Sequence, residues 1–322
     1  MAVGGLTLAP AASEATSAAS PSAPRTNHPV APSSAPVAAA AASKPSAPPE
    51  INFEQQSLAD QCALLSRSLK LPSKPLCTSL GTSQRLGFSM QRRNIFSVQS
   101  PREVAGSTAG AAAIRDVRVL VLGAIHGDEL SAGWLALQWQ SMKPPQVEGV
   151  SYSVLHVPLL NPDGLFQTKP SRTNGNGVDL NRNFPTPNWQ VEANKWWVNT
   201  TKRDKRRWPG KTAASEIETQ HVISLIKNFK PSVIVAIHAP LGVLDYDGAG
   251  MPPERIGSIW LDSVGIYPGS LGHYSSRTHG IPVLTVELPN ALKVVSDVEA
   301  KRMWSDLFAW VKRYAQHDAA TK

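Results

Sequence analysis

The chain has 322 residues, 42% of them hydrophobic, with a formal net charge of +8 at pH 7 and an isoelectric point near 9.6. That length can bury a substantial core, and no window reaches the roughly 18 consecutive apolar residues of a membrane span, so no transmembrane segment is expected. The basic balance favours acidic surroundings such as nucleic acid, anionic headgroups or an anionic cell-wall polymer, and narrows the partner only weakly.

Residues 1–50 are almost entirely Ala, Ser and Pro, too poor in large apolar side chains to offset the entropy of ordering, and are expected to form a disordered tail. The opening "MAVGGLTLAPAAS" lacks a basic n-region, yet it resembles the end of a signal h-region followed by a small-residue cleavage site. A start codon assigned too late would account for this.

A small N-terminal element is expected over residues 51–105. Leu58, Cys62, Leu65 and Leu69 have helical spacing within Glu54 to Leu71, and "RLGFSMQRRNIFSVQSP" reads as a hairpin. Cys62 and Cys77 are the only cysteines. Their helix, Pro-bounded turn and return suit a disulfide, which would contribute about 3 kcal/mol in the chain-entropy model and imply an oxidising compartment. Two unrelated buried thiols in a cytosolic protein are the other reading.

The main domain is expected over residues 106–318. Val117 to Leu122 is a continuous apolar run, the mark of a strand buried on both faces. A helix over Asp128 to Met142 and a strand over Tyr152 to Leu159 follow. Asn161 to about Lys211 is rich in Asn, Gly, Pro and Arg, and loops of that length are usually functional. It contains "KRDKRR" from Lys202 to Arg207, flanked by Trp196, Trp197 and Trp208, which reads as a solvated loop over packed tryptophans; a groove for an anionic polymer is the alternative.

Ser215-Glu-Ile-Glu218 matches a capping box opening a helix that Pro231 stops. Ser232 to Ile237 is a second buried strand, with His238 at its end. Pro253 to Ser263 reads as a helix, Ile281 to Val286 as a strand ending at Glu287, and Ser296 to Gln316 as a closing helix. The alternation predicts an α/β fold: a mixed, mostly parallel twisted sheet with helices on both faces, binding ligands at the strands' carboxyl ends.

Polar groups stand just beyond three apolar strands: His126 with Glu129, His238, and Glu287. Two imidazoles and a carboxylate are the ligand set of hydrolytic zinc. Alone, His126-x-x-Glu129 is more often a solvated pair and His238 a satisfied core histidine; their joint placement carries the argument. Gly123 to Gly127 fits neither phosphate-binding glycine pattern, and the two glycines read as allowing the backbone to turn so that His126 and Glu129 meet one ion. Asp128 has no assigned part.

With "NPDG" at Asn161 to Gly164, Arg172, "NGVDLNRNFP" from Asn176 to Pro185, "PGS" from Pro268 to Ser270 and "TVELP" from Thr285 to Pro289, the chain resembles the zinc carboxypeptidases of the funnelin type. Within them it is most similar to the bacterial murein peptide amidases. The resemblance implies a carboxypeptidase fold and one Zn2+ ion held by His126, Glu129 and His238. Glu287 would be the general base, Arg172 would polarise the scissile carbonyl, and Asn181 and Arg182 would bind a substrate carboxylate. The family's tyrosine falls on Tyr267 or Tyr274, because this segment is a residue shorter than the amidase pattern. Asp179 either orients the loop or a zinc ligand, or is a turn residue.

The implied substrate is a peptidoglycan-derived peptide cut between γ-D-glutamate and diaminopimelate; no nucleic acid is expected as partner. Recycling amidases work in the cytoplasm and need neither the tail nor a disulfide, so the periplasm or cell envelope is expected, with the cytoplasm as the alternative. The rival functions are an N-acyl amino acid deacylase of the aspartoacylase and desuccinylase type, and a non-enzymatic peptidoglycan-binding protein on the same fold.

Overall fold

The computed structural model describes residues 53–72, 74–100, 115–147 and 150–320; the expected tail and the boundary near residue 105 lie outside the described residues. In chain order come α1 (Leu58–Ser68), α2 (Lys74–Thr78), β1 (Ser83–Phe88), β2 (Asn94–Gln99), β3 (Arg115–Leu122), α3 (Leu130–Gln140), β4 (Val150–Val157), α4 (Pro162–Leu165), α5 (Trp189–Asn199), α6 (Ile217–Phe229), β5 (Val233–His238), β6 (Val243–Asp247), β7 (Arg255–Ile256), β8 (Ile259–Leu261), β9 (Val283–Glu287) and α7 (Asp297–Ala320). The strands form one mixed sheet, ordered β1-β2-β4-β3-β5-β9-β6-β8-β7. Its centre, β4-β3-β5-β9, is parallel. β6 and β8 also pair parallel, and the remaining pairs are antiparallel.

Burial on both faces explains the unbroken apolar runs of β3 and β5. Val117, Val119 and Val121 with Val233, Val235 and Ile237 face one core, completed by Trp139 of α3 and Leu307, Phe308 and Val311 of α7. Leu120, Leu122, Ile234 and Ala236 face the other way, onto Val222 and Ile226 of α6. The α/β architecture with helices on both faces is as the sequence implied. Among the described residues no helix is long and apolar enough to cross a membrane.

Cys62 and Cys77 form a disulfide, and with Leu58 and Leu65 they pack against Trp134 and Leu137 of α3. α3 therefore has protein on every side, and all of its residues are buried. The expected hairpin also forms, as β1 and β2, but it extends the main sheet through β4 and is integral with it.

Three expectations are corrected. Pro253 to Ser263 is not a helix but the short hairpin β7-β8, turning at Gly257 (φ 59°), whose backbone N–H donates to Asp306 of α7 at 2.9 Å. The capping box does not form. The Ser215 hydroxyl instead donates to Glu216 at 2.6 Å, and the Glu218 carboxylate accepts from the Met90 N–H at 3.0 Å, so neither closes the helix end. The long loop contains the unexpected α5, which buries only Trp189 and Ala193 and so lacks the apolar stripe that betrays a helix.

Candidate active site

β3 and β4 leave one side of the sheet's centre and β5 the other, so the crevice between the carboxyl ends of β3 and β5 is the place where α/β sheets bind ligands. The turn after β3 carries His126, and its one left-handed residue is Ala124 (φ 50°). The glycines serve a different purpose from the expected one. A Cβ at Gly123 would lie 2.5 Å from the Ala136 Cβ, and one at Gly127 only 2.2 Å from the Gly164 backbone. Close packing, not turning, requires them.

Gly164 belongs to the "NPDG" stretch, which organises the loop. Asn161 accepts from the Gly164 N–H at 2.9 Å and donates to the Ile125 carbonyl at 3.2 Å. Asp163, wholly buried, accepts from the Ser89 hydroxyl at 2.7 Å and the Gln91 N–H at 2.9 Å, tying the β1-β2 hairpin to the loop.

Glu129 is the N-cap residue of α3, but its carboxylate caps nothing. It lies 2.7 Å from His126 Nδ1 and 2.9 Å from His238 Nδ1, and those two nitrogens are 3.1 Å apart. All three side chains are buried. His126 Nε2 donates to Asp179 Oδ1 at 3.1 Å, and Arg172 Nε donates to Asp179 Oδ2 at 2.9 Å. Burial resists ionisation of Asp179, but Arg172 and His126 outweigh it and hold its carboxyl well below the usual range. Asp179 meets both readings: it holds His126 and Arg172, and it caps the turn at Leu180–Arg182 by accepting from the Asn181 N–H at 3.0 Å.

Arg182 is buried, with its guanidinium over the rings of Trp196 at 4.6 Å and Tyr267 at 4.5 Å. Burial, opposed by Asp179, pushes it down to about 10. Tyr267 gives its hydroxyl to the Val264 carbonyl at 2.7 Å. The other candidate, Tyr274, stacks on Phe184 and does not line the cavity. Glu287 ends β9 in register with His238. Its Oε2 is buried without a partner, and burial, opposed by His238, raises its carboxyl above the ordinary value.

His126, Glu129, His238, Glu287, Arg172, Asn181, Arg182 and Tyr267 thus line one cavity of about 470 Å³. Asp128 gains a partner that sequence could not supply, accepting from Arg206 of the basic run at 2.7 Å. The cavity also contains Asp245 and Asp247, which sequence reasoning missed. "VLDYD" carried the signal, since acids two apart share one face of a strand.

A family model described as zinc carboxypeptidase matches residues 80–248, just over half of the chain. The chain belongs to the zinc carboxypeptidase family. As a member of it, the protein is a hydrolytic enzyme, a metallopeptidase of a zinc-dependent family. It is 31% identical over 209 residues to murein peptide amidase A of Escherichia coli K12, covering 62% of this chain and 81% of that one. To murein peptide amidase A of Vibrio campbellii it is 31% identical over 179 residues, covering 53% and 69%.

Crystal structures place the fold of this zinc carboxypeptidase in the same group. The murein-tripeptide amidase of Escherichia coli O157 aligns with a TM-score of 0.51 at 24% identity, over 71% of this chain and 92% of that one. Bovine thrombin-activatable fibrinolysis inhibitor aligns with a TM-score of 0.51 at 14% identity, over 84% and 99%. Glu287 lies beyond the segment matched by the family model and is placed by its register with His238 and by the cavity it lines.

The donor set fits the family's metal. The ligand atoms of His126, Glu129 and His238 lie within 4.8 Å of one another. With Nε2 donating to Asp179, a neutral His126 turns the lone pair of Nδ1 toward a carboxylate and a second imidazole. Acceptors facing each other in a buried site call for a cation, and two imidazoles with one carboxylate suit zinc.

Proposed function

We propose that this zinc carboxypeptidase cleaves a peptidoglycan stem peptide at the γ-D-glutamyl–diaminopimelate bond. In this reading His126, Glu129 and His238 hold one zinc ion, and Glu287 is the general base. The observation that carries it is the partnerless Glu287 Oε2 beside the His126–Glu129–His238 set, in a cavity that also presents Arg172 and the buried Arg182. The names of the two bacterial amidase relatives support the substrate.

A zinc ion bound there supplies Lewis acidity, lowering the pKa of a water it holds to about 7. Glu287, with its raised pKa, takes the proton of the attacking water and returns it to the leaving amine. Arg172, held by Asp179 through Nε, keeps its other N–H groups for the developing oxyanion. Arg182 and Asn181 receive the substrate carboxylate. Binding an anion there offsets the burial that depresses Arg182, and the rings of Trp196 and Tyr267 keep its planar fork in place. Tyr267 serves by this stacking.

The disulfide supports work in the periplasm or cell envelope, and fractionation of cells with thiol trapping tests that location against the cytoplasm. Mass spectrometry of muropeptides incubated with the zinc-loaded enzyme, with a chelator control, tests the activity. The expected product is free diaminopimelate or a peptide beginning with it. Deacylation of N-acyl amino acids without peptide cleavage would defeat the reading in favour of a deacylase, and binding without turnover would leave only a wall-binding protein.

A further inference from the structure

The basic run and the tryptophans beside it have no part in the chemistry above, and they line a second concave surface. One cavity, of about 480 Å³, is bordered by Trp197, Trp208, Lys205 and Arg206 together with Ser171 and Thr173. Another, of about 360 Å³, is bordered by Trp208, Lys211 and Ser215. Asn176 and Trp208 belong to both, so the two adjoin as one groove with the Trp208 indole at its middle. Each part is of a size that holds a small ligand.

The groove shares its walls with the active-site cavity. Ser171 and Thr173 flank Arg172, while Lys205 and Arg206 lie between Asp204 and Arg207; Arg172, Asp204 and Arg207 line the active-site cavity. Contacts from both sides fix these walls. Arg206 donates to Asp128 at 2.7 Å, and the Asp179 N–H donates to the Trp208 carbonyl at 2.8 Å.

Its side chains match a saccharide. Trp197 and Trp208 are only half-buried, and Trp197 is pinned by Nε1 donating to the Asp204 carbonyl at 2.8 Å. The negative face of such an indole attracts the positively polarised C–H groups of a sugar ring. The Ser171 and Thr173 hydroxyls lie 2.9 Å apart, and Asn176 is held by Nδ2 donating to Glu216 at 2.9 Å. Two hydroxyls and the Asn176 carbonyl oxygen suit sugar hydroxyls and acetamide N–H groups. Lys205, Arg206 and Lys211 are exposed cations, which complement carboxylates on the same polymer. Single-stranded nucleic acid also stacks on aromatic rings between cations, but the neutral hydroxyls and amide favour a saccharide over a phosphate chain.

We propose that this groove binds an acidic aminosugar glycan, the strand that carries the stem peptide, beside the active-site cavity. The choice of glycan rests on the peptidase reading above; the chemistry of the groove does not.

The test is calorimetric titration of the zinc-loaded full chain with peptide-free glycan chains of alternating N-acetylglucosamine and N-acetylmuramic acid. A chito-oligosaccharide of equal length is the uncharged comparison, and a single-stranded oligonucleotide is the phosphate comparison. The acidic glycan should bind more tightly than either. Trp208→Ala should weaken both saccharides about tenfold, the scale of one aromatic stacking platform. Lys205→Gln changes an exposed side chain and keeps the test should the first variant not fold. It should weaken the acidic glycan roughly threefold and leave the uncharged one unchanged. No binding of the glycan to the wild type, an affinity untouched by both variants, or tighter binding of the oligonucleotide would overturn the assignment. Cleavage of a free stem peptide is read separately. Glycan binding without cleavage keeps the groove and removes the peptidase reading, and cleavage without glycan binding does the reverse.

Discussion

Asp179→Asn isolates the group that joins the candidate metal site to the candidate oxyanion arginine. Aspartate offers two oxygens, which here accept from three donors: His126 Nε2 at 3.1 Å, the Asn181 N–H at 3.0 Å and Arg172 Nε at 2.9 Å. Asparagine offers one oxygen and turns an N–H2 toward the remaining donors. If the oxygen stays with His126, Arg172 keeps only Glu129, at 3.6 Å. If it turns to Arg172, His126 loses the acceptor that fixes its tautomer. Removing one partner of a buried ion pair costs about 3–5 kcal/mol, and losing a partner behind a metal ligand costs roughly 10- to 100-fold in metal affinity. Urea unfolding of the metal-free protein reads the first quantity, and competition with a chromophoric chelator reads the second. Wild-type unfolding together with zinc affinity within about twofold would refute the orienting role of Asp179.

Glu287→Gln should retain zinc and fold but lose at least about 10²-fold in kcat. Cys77→Ser should cost about 3 kcal/mol by reopening the loop, and because the bridge packs on α3, below Glu129, zinc affinity should weaken as well; chemical denaturation and chelator competition check both. Burial pushes Glu218 up to about 7, so it favours the fold below the unfolded pKa and that contribution is lost as pH rises to the folded value. Stability should decline by about 3 kcal/mol from this group over that range, and Glu218→Gln should flatten the curve of unfolding midpoint against pH.

The sheet's centre was legible because β3 and β5 are covered on both sides, which demands unbroken apolar runs whatever packs on them. Elements decided by few contacts were not. α5 lies on the surface with two buried residues, and β7-β8 depends on Asp306 and Glu299 of the distant α7 to hold its turn. The same distinction runs through the site. His126 and Glu129 are three apart on one turn, while His238 and Glu287 each close an apolar strand, so these four were readable in order along the chain.

By itself, the sequence determined the strand ends, the spacing of the candidate ligands and the identity of the arginine loop, because residue type and period are local properties. Only the tertiary structure decided that Gly127 is required by the backbone of Gly164, that Asp128 holds Arg206, and that Asp179 joins His126 to Arg172. It alone brought Asp247 beneath Gly272. Each of these depends on parts of the chain that meet only once the sheet has formed, and burial then gives those contacts their energetic weight.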